Sequence, residues 1–326
     1  MVVRMKRPGV PYIALTIVLF SAFEVVSRLI GPRMEALQVS LWRFAAGGLL
    51  LLALAAPRLA RYPRKELPAL LGSAALMGFL NVVVSMGLIQ YALVFTPASV
   101  TALVFSSNPV YVSLLAVPLL GERMGWRRIA ALALGMAGVA LVFAEKLLGP
   151  AASGAGGAAS AAAGAGLVLA SAVVFALYTV TGKRIMKRTG ADSLTLTALS
   201  FVIGSAMLVP LMLALRVPLL PRDPSIIPHM AVMSLLITGV AYASYFKGLS
   251  LMDAGAGSVL YFAKPPLAAL FAFLALGERP SLGLAGGFVL IAAGIAVNFA
   301  GTGIRRAGRD PAEGGEEGTR ESAPRA

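Results

Sequence analysis

The chain has 326 residues, 58% of them hydrophobic and 13% charged, with a mean hydropathy of +0.85; soluble domains use roughly 45–50% apolar residues, so a water-soluble globular fold is excluded. There is no cysteine and one histidine, which excludes a disulfide framework, a thiol nucleophile and a sequence-evident metal site. The formal net charge of +14 comes from Lys and Arg placed between apolar runs, where they mark cytoplasmic loops rather than a nucleic-acid surface.

Apolar runs of about 18 residues or more read as membrane helices. In the first half they fall at 11–30, 37–56, 68–90, 97–119 and 126–144. Arg4, Lys6 and Arg7 precede the first run as they would in a signal peptide. The run is long and no small-residue cleavage site follows, so it is read as a retained helix. Gly31-Pro32 is expected to end it, and Pro57 to end the second helix. Residues 149–166 are an Ala/Gly/Ser connector whose Ala-rich end either stays flexible or extends the next helix. In the second half the runs fall at 164–183, 194–215, 228–247, 254–276 and 281–300, with Pro218, Pro221 and Pro224 in the longest loop. From 301 to 326 the chain is Gly, Arg and Glu, too polar to bury a core, and is expected to be disordered.

The second half repeats the first. Leu93, Ala98, Pro109, Leu114, Gly121-Glu122-Arg123, Gly138 and Phe143 return 156 residues later as Leu249, Ala254, Pro265, Leu270, Gly277-Glu278-Arg279, Gly294 and Phe299. With five helices per unit, the second unit is inverted relative to the first. The predicted fold is an all-α membrane protein of ten transmembrane helices in two inverted five-helix repeats, 1–148 and 167–300. Such an architecture is the usual one of a secondary transporter, with its site at the midplane between the halves. With the N-terminus inside, fourteen Lys and Arg of the predicted loops are cytoplasmic and six are outside, so both termini are expected in the cytoplasm.

The five-plus-five helices, the mid-helix Pro and terminal Gly-Glu-Arg of helices 4 and 9, the Gly-rich helices 5 and 10, and Arg43 near the start of helix 2 resemble the drug/metabolite transporter superfamily in its EamA branch. The resemblance covers about residues 10–300. It implies a carrier of small metabolites, often amino acids and often exported. Small multidrug-resistance relatives use a carboxylate in the first helix for proton antiport. This chain departs from them, with Tyr178 and Thr179 at the matching place in helix 6.

Ionisable groups at membrane depth are costly and count as functional candidates. Lys264, just before Pro265-Pro266, is read either as an anchor for a carboxylate or phosphate or as a structural ion-pair member. Its repeat mate Asn108 offers neutral hydrogen bonds to the same ligand or joins helices. Glu24 is a proton carrier, an ammonium counter-ion, or a partner of Arg28 four residues on. Tyr242 and Tyr245 share a helix face, as do Tyr261 and Lys264. With Tyr178 and Asn81 they either line a pocket for an aromatic or apolar metabolite or pack helices. Arg43, beside Trp42, reads either as an interfacial anchor or as a direct ligand contact. An enzyme is disfavoured, since no His-Glu-x-x-His run or pair of mid-helix aspartates is present. No selectivity-filter signature points to a channel. Amino-acid or related metabolite efflux leads, ahead of nucleotide-sugar or phosphorylated-metabolite exchange and of cationic drug/proton antiport. The expected partners are a small-molecule substrate, the bilayer of the cell (inner) membrane and, through Glu24, protons. No cofactor, metal or nucleic acid is expected, and the chain is expected to be a monomer or a weak homo-oligomer.

Overall fold

Lipid offers the backbone no hydrogen-bond partners, so a chain this apolar must satisfy its own amides along helices. The computed structural model describes residues 8–30, 33–95, 104–148, 157–276 and 282–300, and every regular element among them is helical. The first span is α1 (Val10–Ser21) and α2 (Phe23–Ile30), interrupted at Ala22. Then come α3 (Ala36–Leu59), α4 (Leu67–Gly78), a π-helical stretch at Phe79–Ser85, and α5 (Met86–Phe95). They are followed by α6 (Asn108–Leu120) and α7 (Trp126–Leu148). The second half holds α8 (Gly157–Thr189), α9 (Ser193–Ala214) and α10 (Ile227–Ala231), then a second π stretch at Val232–Val240 leading into α11 (Ala241–Ser250). The last elements are α12 (Ala254–Val259), a 3-10 turn at Leu260–Ala263, α13 (Lys264–Leu276) and α14 (Leu282–Ala300).

Among the described residues, five helical segments are long and apolar enough to cross a membrane: Ala36–Leu59, Leu67–Ile89, Ala163–Thr189, Ser193–Ala214 and Pro224–Ser250. Val10–Ser21, Asn108–Leu120 and Ala285–Ala300 are shorter apolar helices. The Ala-rich end of the connector is helical from Gly157, so it extends α8. Pro57 does not end α3, which runs on to Leu59. A proline this close to the C-terminus breaks one backbone bond while the turn after it still closes, Ala60 N–H donating to the Ala56 carbonyl at 2.9 Å. Asp192, Asp223 and Asp253 each precede a helix start. Asp192 caps α9 by accepting from Thr195 N–H at 3.2 Å, Asp223 accepts from Ser225 N–H at 2.9 Å, and Asp253 stands before α12. The second Gly-Glu-Arg, Gly31-Pro32, Gly149-Pro150 and residues 301–326 lie outside the described residues.

The helices of the two halves interleave. α7 packs along α14, α3 along α9 and the second π stretch, α1 along α11, α5 and α6 along α8, and α13 against α1 and α2. Small residues allow the closest crossings. A Cβ on Gly138 would lie 2.8 Å from the Gly287 carbonyl, and one on Gly294 3.0 Å from that of Ala131.

Candidate functional site

Both helices that carry the repeated proline are broken at it. On the second-half side α12 gives way to the 3-10 turn, and α13 starts at Lys264 with Pro265-Pro266 in its first turn. On the other side Ser106 and Ser107 form a turn and α6 starts at Asn108, with Pro109 next. Proline lacks an N–H and fits a first helical turn, so each Pro restarts a helix inside the bundle. One π stretch lies in the segment Leu67–Ile89 and the other in Pro224–Ser250. A π-helix opens the i→i+4 ladder and is frequent at functional sites.

Rings from both halves form one cluster. Tyr242 sits at its centre, with ring centroids 4.8 Å from Phe20, 4.9 Å from Phe201 and 5.9 Å from Phe44. Tyr245 lies 5.5 Å from Tyr261, and Tyr178 lies 5.6 Å from Phe175. All four tyrosines are buried. The shared face expected for Tyr242 and Tyr245 is therefore present. Thr179 and the Tyr245 hydroxyl share a hydrogen bond of 3.0 Å. The hydroxyls of Tyr178 and Tyr261 and both amide atoms of Asn81 are buried without a hydrogen-bond partner. Asn81, in the first π stretch, lies within interaction range of Tyr178 and Tyr242 without reaching hydrogen-bonding geometry. Buried polar groups are nearly always paired, so this concentration of unpaired ones marks the site.

Of the two readings of Arg43, the structure removes the interfacial anchor. The residue is 4% exposed. Its guanidinium carbon lies 4.9 Å from the Phe23 ring centroid and 4.6 Å from that of Phe44, and the group faces Tyr242. The loop before α10 explains the difference, because it folds over the start of α3. Gln38 donates to the Leu220 carbonyl at 2.9 Å and Trp42 Nε1 to the Leu219 carbonyl at 2.8 Å. Lys264 is half-buried, with Nζ 6.0 Å from the same Phe23 ring. The Ser21 hydroxyl donates to the Lys264 carbonyl at 3.2 Å. Asn108 is drawn the other way, its amide donating to the Ala172 carbonyl at 2.8 Å and joining α6 to α8. Glu24 lies on α2, and the side chains of Glu24 and Arg28 are outside the described residues.

A second polar centre lies at one end of the bundle, and only its turn was visible in the sequence. Glu122, just after α6, is buried and reaches the other half. It accepts from the Ala254 and Gly255 N–H groups at 2.7 and 3.1 Å, capping α12. Lys183 Nζ approaches it at 3.1 Å and Arg128 at 3.4 Å. Burial pushes the Glu122 carboxyl up, but Lys183 and the two backbone donors outweigh it and hold the group below the usual carboxylate range.

Comparison with known proteins matches this arrangement. The model of the EamA-like transporter family fits residues 7–144 and again 162–300. An uncharacterized transporter from Clostridium kluyveri is 28% identical over 297 residues, covering 90% of this chain and 93% of that protein. A probable terminal-alkyne amino-acid exporter from Streptantibioticus cattleyicolor is 29% identical, covering 84% and 87%. A crystal structure at 23% identity superposes with a TM-score of 0.75 over 92% of this chain and 99% of that one, a likeness of fold. The buried polar site between interleaved helices thus sits in a multi-pass membrane protein that moves a small molecule and is not an enzyme: the chain belongs to the EamA-like transporter family.

Proposed function

We propose that the chain is a secondary transporter that exports an amino acid or a closely related metabolite by alternating access. The observation that carries this reading is the buried polar cluster around Tyr242, built by helices of both halves, in which Asn81, Tyr178 and Tyr261 are left short of hydrogen-bond partners. The amino-acid class is supported by what the Streptantibioticus relative is named for. In this reading residues 1–148 and 167–300 are inverted five-helix repeats joined by 149–166, making ten spans of the cell membrane with both termini, including 301–326, in the cytoplasm. The packing supports the repeat. Exchanging each helix for its mate turns the α1–α11 contact into the α8–α5 contact and leaves α3–α9 and α7–α14 as they are. Tyr242, Tyr245, Tyr178, Tyr261 and Asn81 surround the substrate, Lys264 stands at its edge, Asn108 holds α6 to α8, and Glu24 carries the coupling proton. The Glu122 network keeps one end shut in this conformation.

The test is uptake of a labelled amino-acid panel into proteoliposomes, with and without an inside-acid gradient, for wild type and Glu24→Gln. Gradient-driven accumulation that Glu24→Gln removes is the expected result. Saturable equilibration that ignores the gradient would make the protein a facilitator and leave Glu24 without a coupling role. Lys264→Ala is expected to stop transport with expression intact. A second reading, exchange of phosphorylated metabolites, draws on Arg43 and Lys264 flanking one ring, Phe23. It takes the lead if no amino acid moves.

A further inference from the structure

We propose that Arg43 binds the carboxylate of the transported molecule, and that the substrate is a small monocarboxylate with an apolar or aromatic body. The inference rests on the transport reading above and assigns its ligand chemistry. Arg43 stays charged at any physiological pH. A charge this deeply buried is destabilising by several kcal/mol, roughly, unless an anion and hydrogen bonds compensate it. Among the described residues no carboxylate lies within ion-pair distance of it. Its Nε is buried without a hydrogen-bond partner. Its neighbours are instead the ring faces of Phe23 and Phe44 and the neutral hydroxyl of Tyr242. Contacts to ring faces hold a guanidinium without using its in-plane N–H groups, and those that Tyr242 does not engage, Nε among them, remain for a planar acceptor such as a carboxylate.

The surroundings fix the remaining chemistry. Tyr242 faces Arg43, and Asn81 lies beside Tyr242. The unpaired Asn81 amide oxygen is an acceptor suited to an ammonium group near the carboxylate. Phe20, Phe201 and Tyr261 provide an apolar wall for a side chain. The mate helix α9 carries no Lys or Arg. A packing demand of the duplicated fold would act on both mates, so a cation on one alone points to a one-sided ligand contact.

Proteoliposomes loaded with unlabelled L-phenylalanine or L-leucine, or with the corresponding carboxamides, are assayed for exchange with the labelled acid. Binding to purified wild type, Arg43→Lys and Arg43→Gln is read in parallel as a ligand-induced thermal shift. The expected result is that wild type prefers acid to amide by about 100-fold, the scale of a lost charge-assisted bidentate contact. Arg43→Lys should keep the preference at about tenfold weaker affinity, and Arg43→Gln should bind acid and amide alike. Wild type that exchanges amides as well as acids overturns the inference and leaves the transport reading standing. So does an Arg43→Gln protein that still prefers the acid. If Arg43→Gln does not fold, the wild-type acid and amide pair decides alone. Wild type that exchanges neither overturns the inference together with the amino-acid reading.

Discussion

Replacing Glu122 by Gln tests whether one carboxylate holds one end of the bundle shut. The side chain is 8% exposed and accepts two backbone N–H groups while facing Lys183 and Arg128. Gln keeps the shape and one acceptor oxygen, but its NH2 group turns a donor toward other donors. Removing one partner of a buried ion pair costs about 3–5 kcal/mol, and a hydrogen bond to a charged group contributes about 1.5–3 kcal/mol. With one acceptor retained, the low end of that range, about 3 kcal/mol, is the loss expected for Glu122→Gln. At about 1.4 kcal/mol per tenfold, the closed-to-open ratio at this end falls by about 100-fold. The chain contains no cysteine, so a single Ser258→Cys gives a signal without background. Ser258 is 1% exposed in α12, one turn beyond the capped N–H groups. Its maleimide labelling should accelerate by up to about 100-fold in the Glu122→Gln background. Labelling within threefold of the parent, in a protein that stays folded, would refute the reasoning.

The same carboxylate predicts a flat pH response. A group whose folded pKa is depressed contributes stability above its unfolded value, near 4.5 here, and loses it only as pH falls through the lower folded value. Ser258→Cys labelling, divided by the labelling rate of a free thiol at the same pH to remove the thiolate fraction, should therefore be constant from about pH 5.5 to 8, and a rise of that ratio within the window would count against the network. Gly138→Leu should separate α7 from α14, since even its Cβ would lie 2.8 Å from the Gly287 carbonyl. Overpacking of this kind costs about 1–3 kcal/mol, read as a lower detergent melting temperature together with lost transport. Asn108→Ala should destabilise by about 1–3 kcal/mol, because the Ala172 carbonyl loses its buried donor. Substrate KM should stay unchanged, and a raised KM at normal stability would move Asn108 into the substrate site.

The broken helices were legible because proline leaves a covalent signature. Pro109 and Pro265-Pro266 mark where α6 and α13 restart. The tyrosine face was legible because Tyr242 and Tyr245 are three apart on one helix. Arg43 was not. Its depth was judged from its distance to the helix start, and a loop more than 170 residues away in sequence covers that start. Glu122 read as a turn marker because the amides it caps lie 132 and 133 residues further on. The π stretches left no local pattern in the sequence. One of them begins beside the crossing of α4 and α9, where Gly78 and Gly204 bring two backbones into contact.

The partnership of α1 with α11 has a consequence for how the protein is made. The Thr16 hydroxyl donates to the Ala241 carbonyl at 3.0 Å, across a separation of 225 residues. At about 5–20 residues per second, the ribosome delivers the second partner roughly 10–45 s after the first. Throughout that interval the first helix stands in the bilayer with lipid, or an insertion chaperone, against the face it later gives to α11. Two separately translated halves, cut between residues 149 and 156, should consequently find each other and restore transport when co-expressed, since the native assembly already joins segments that meet long after synthesis.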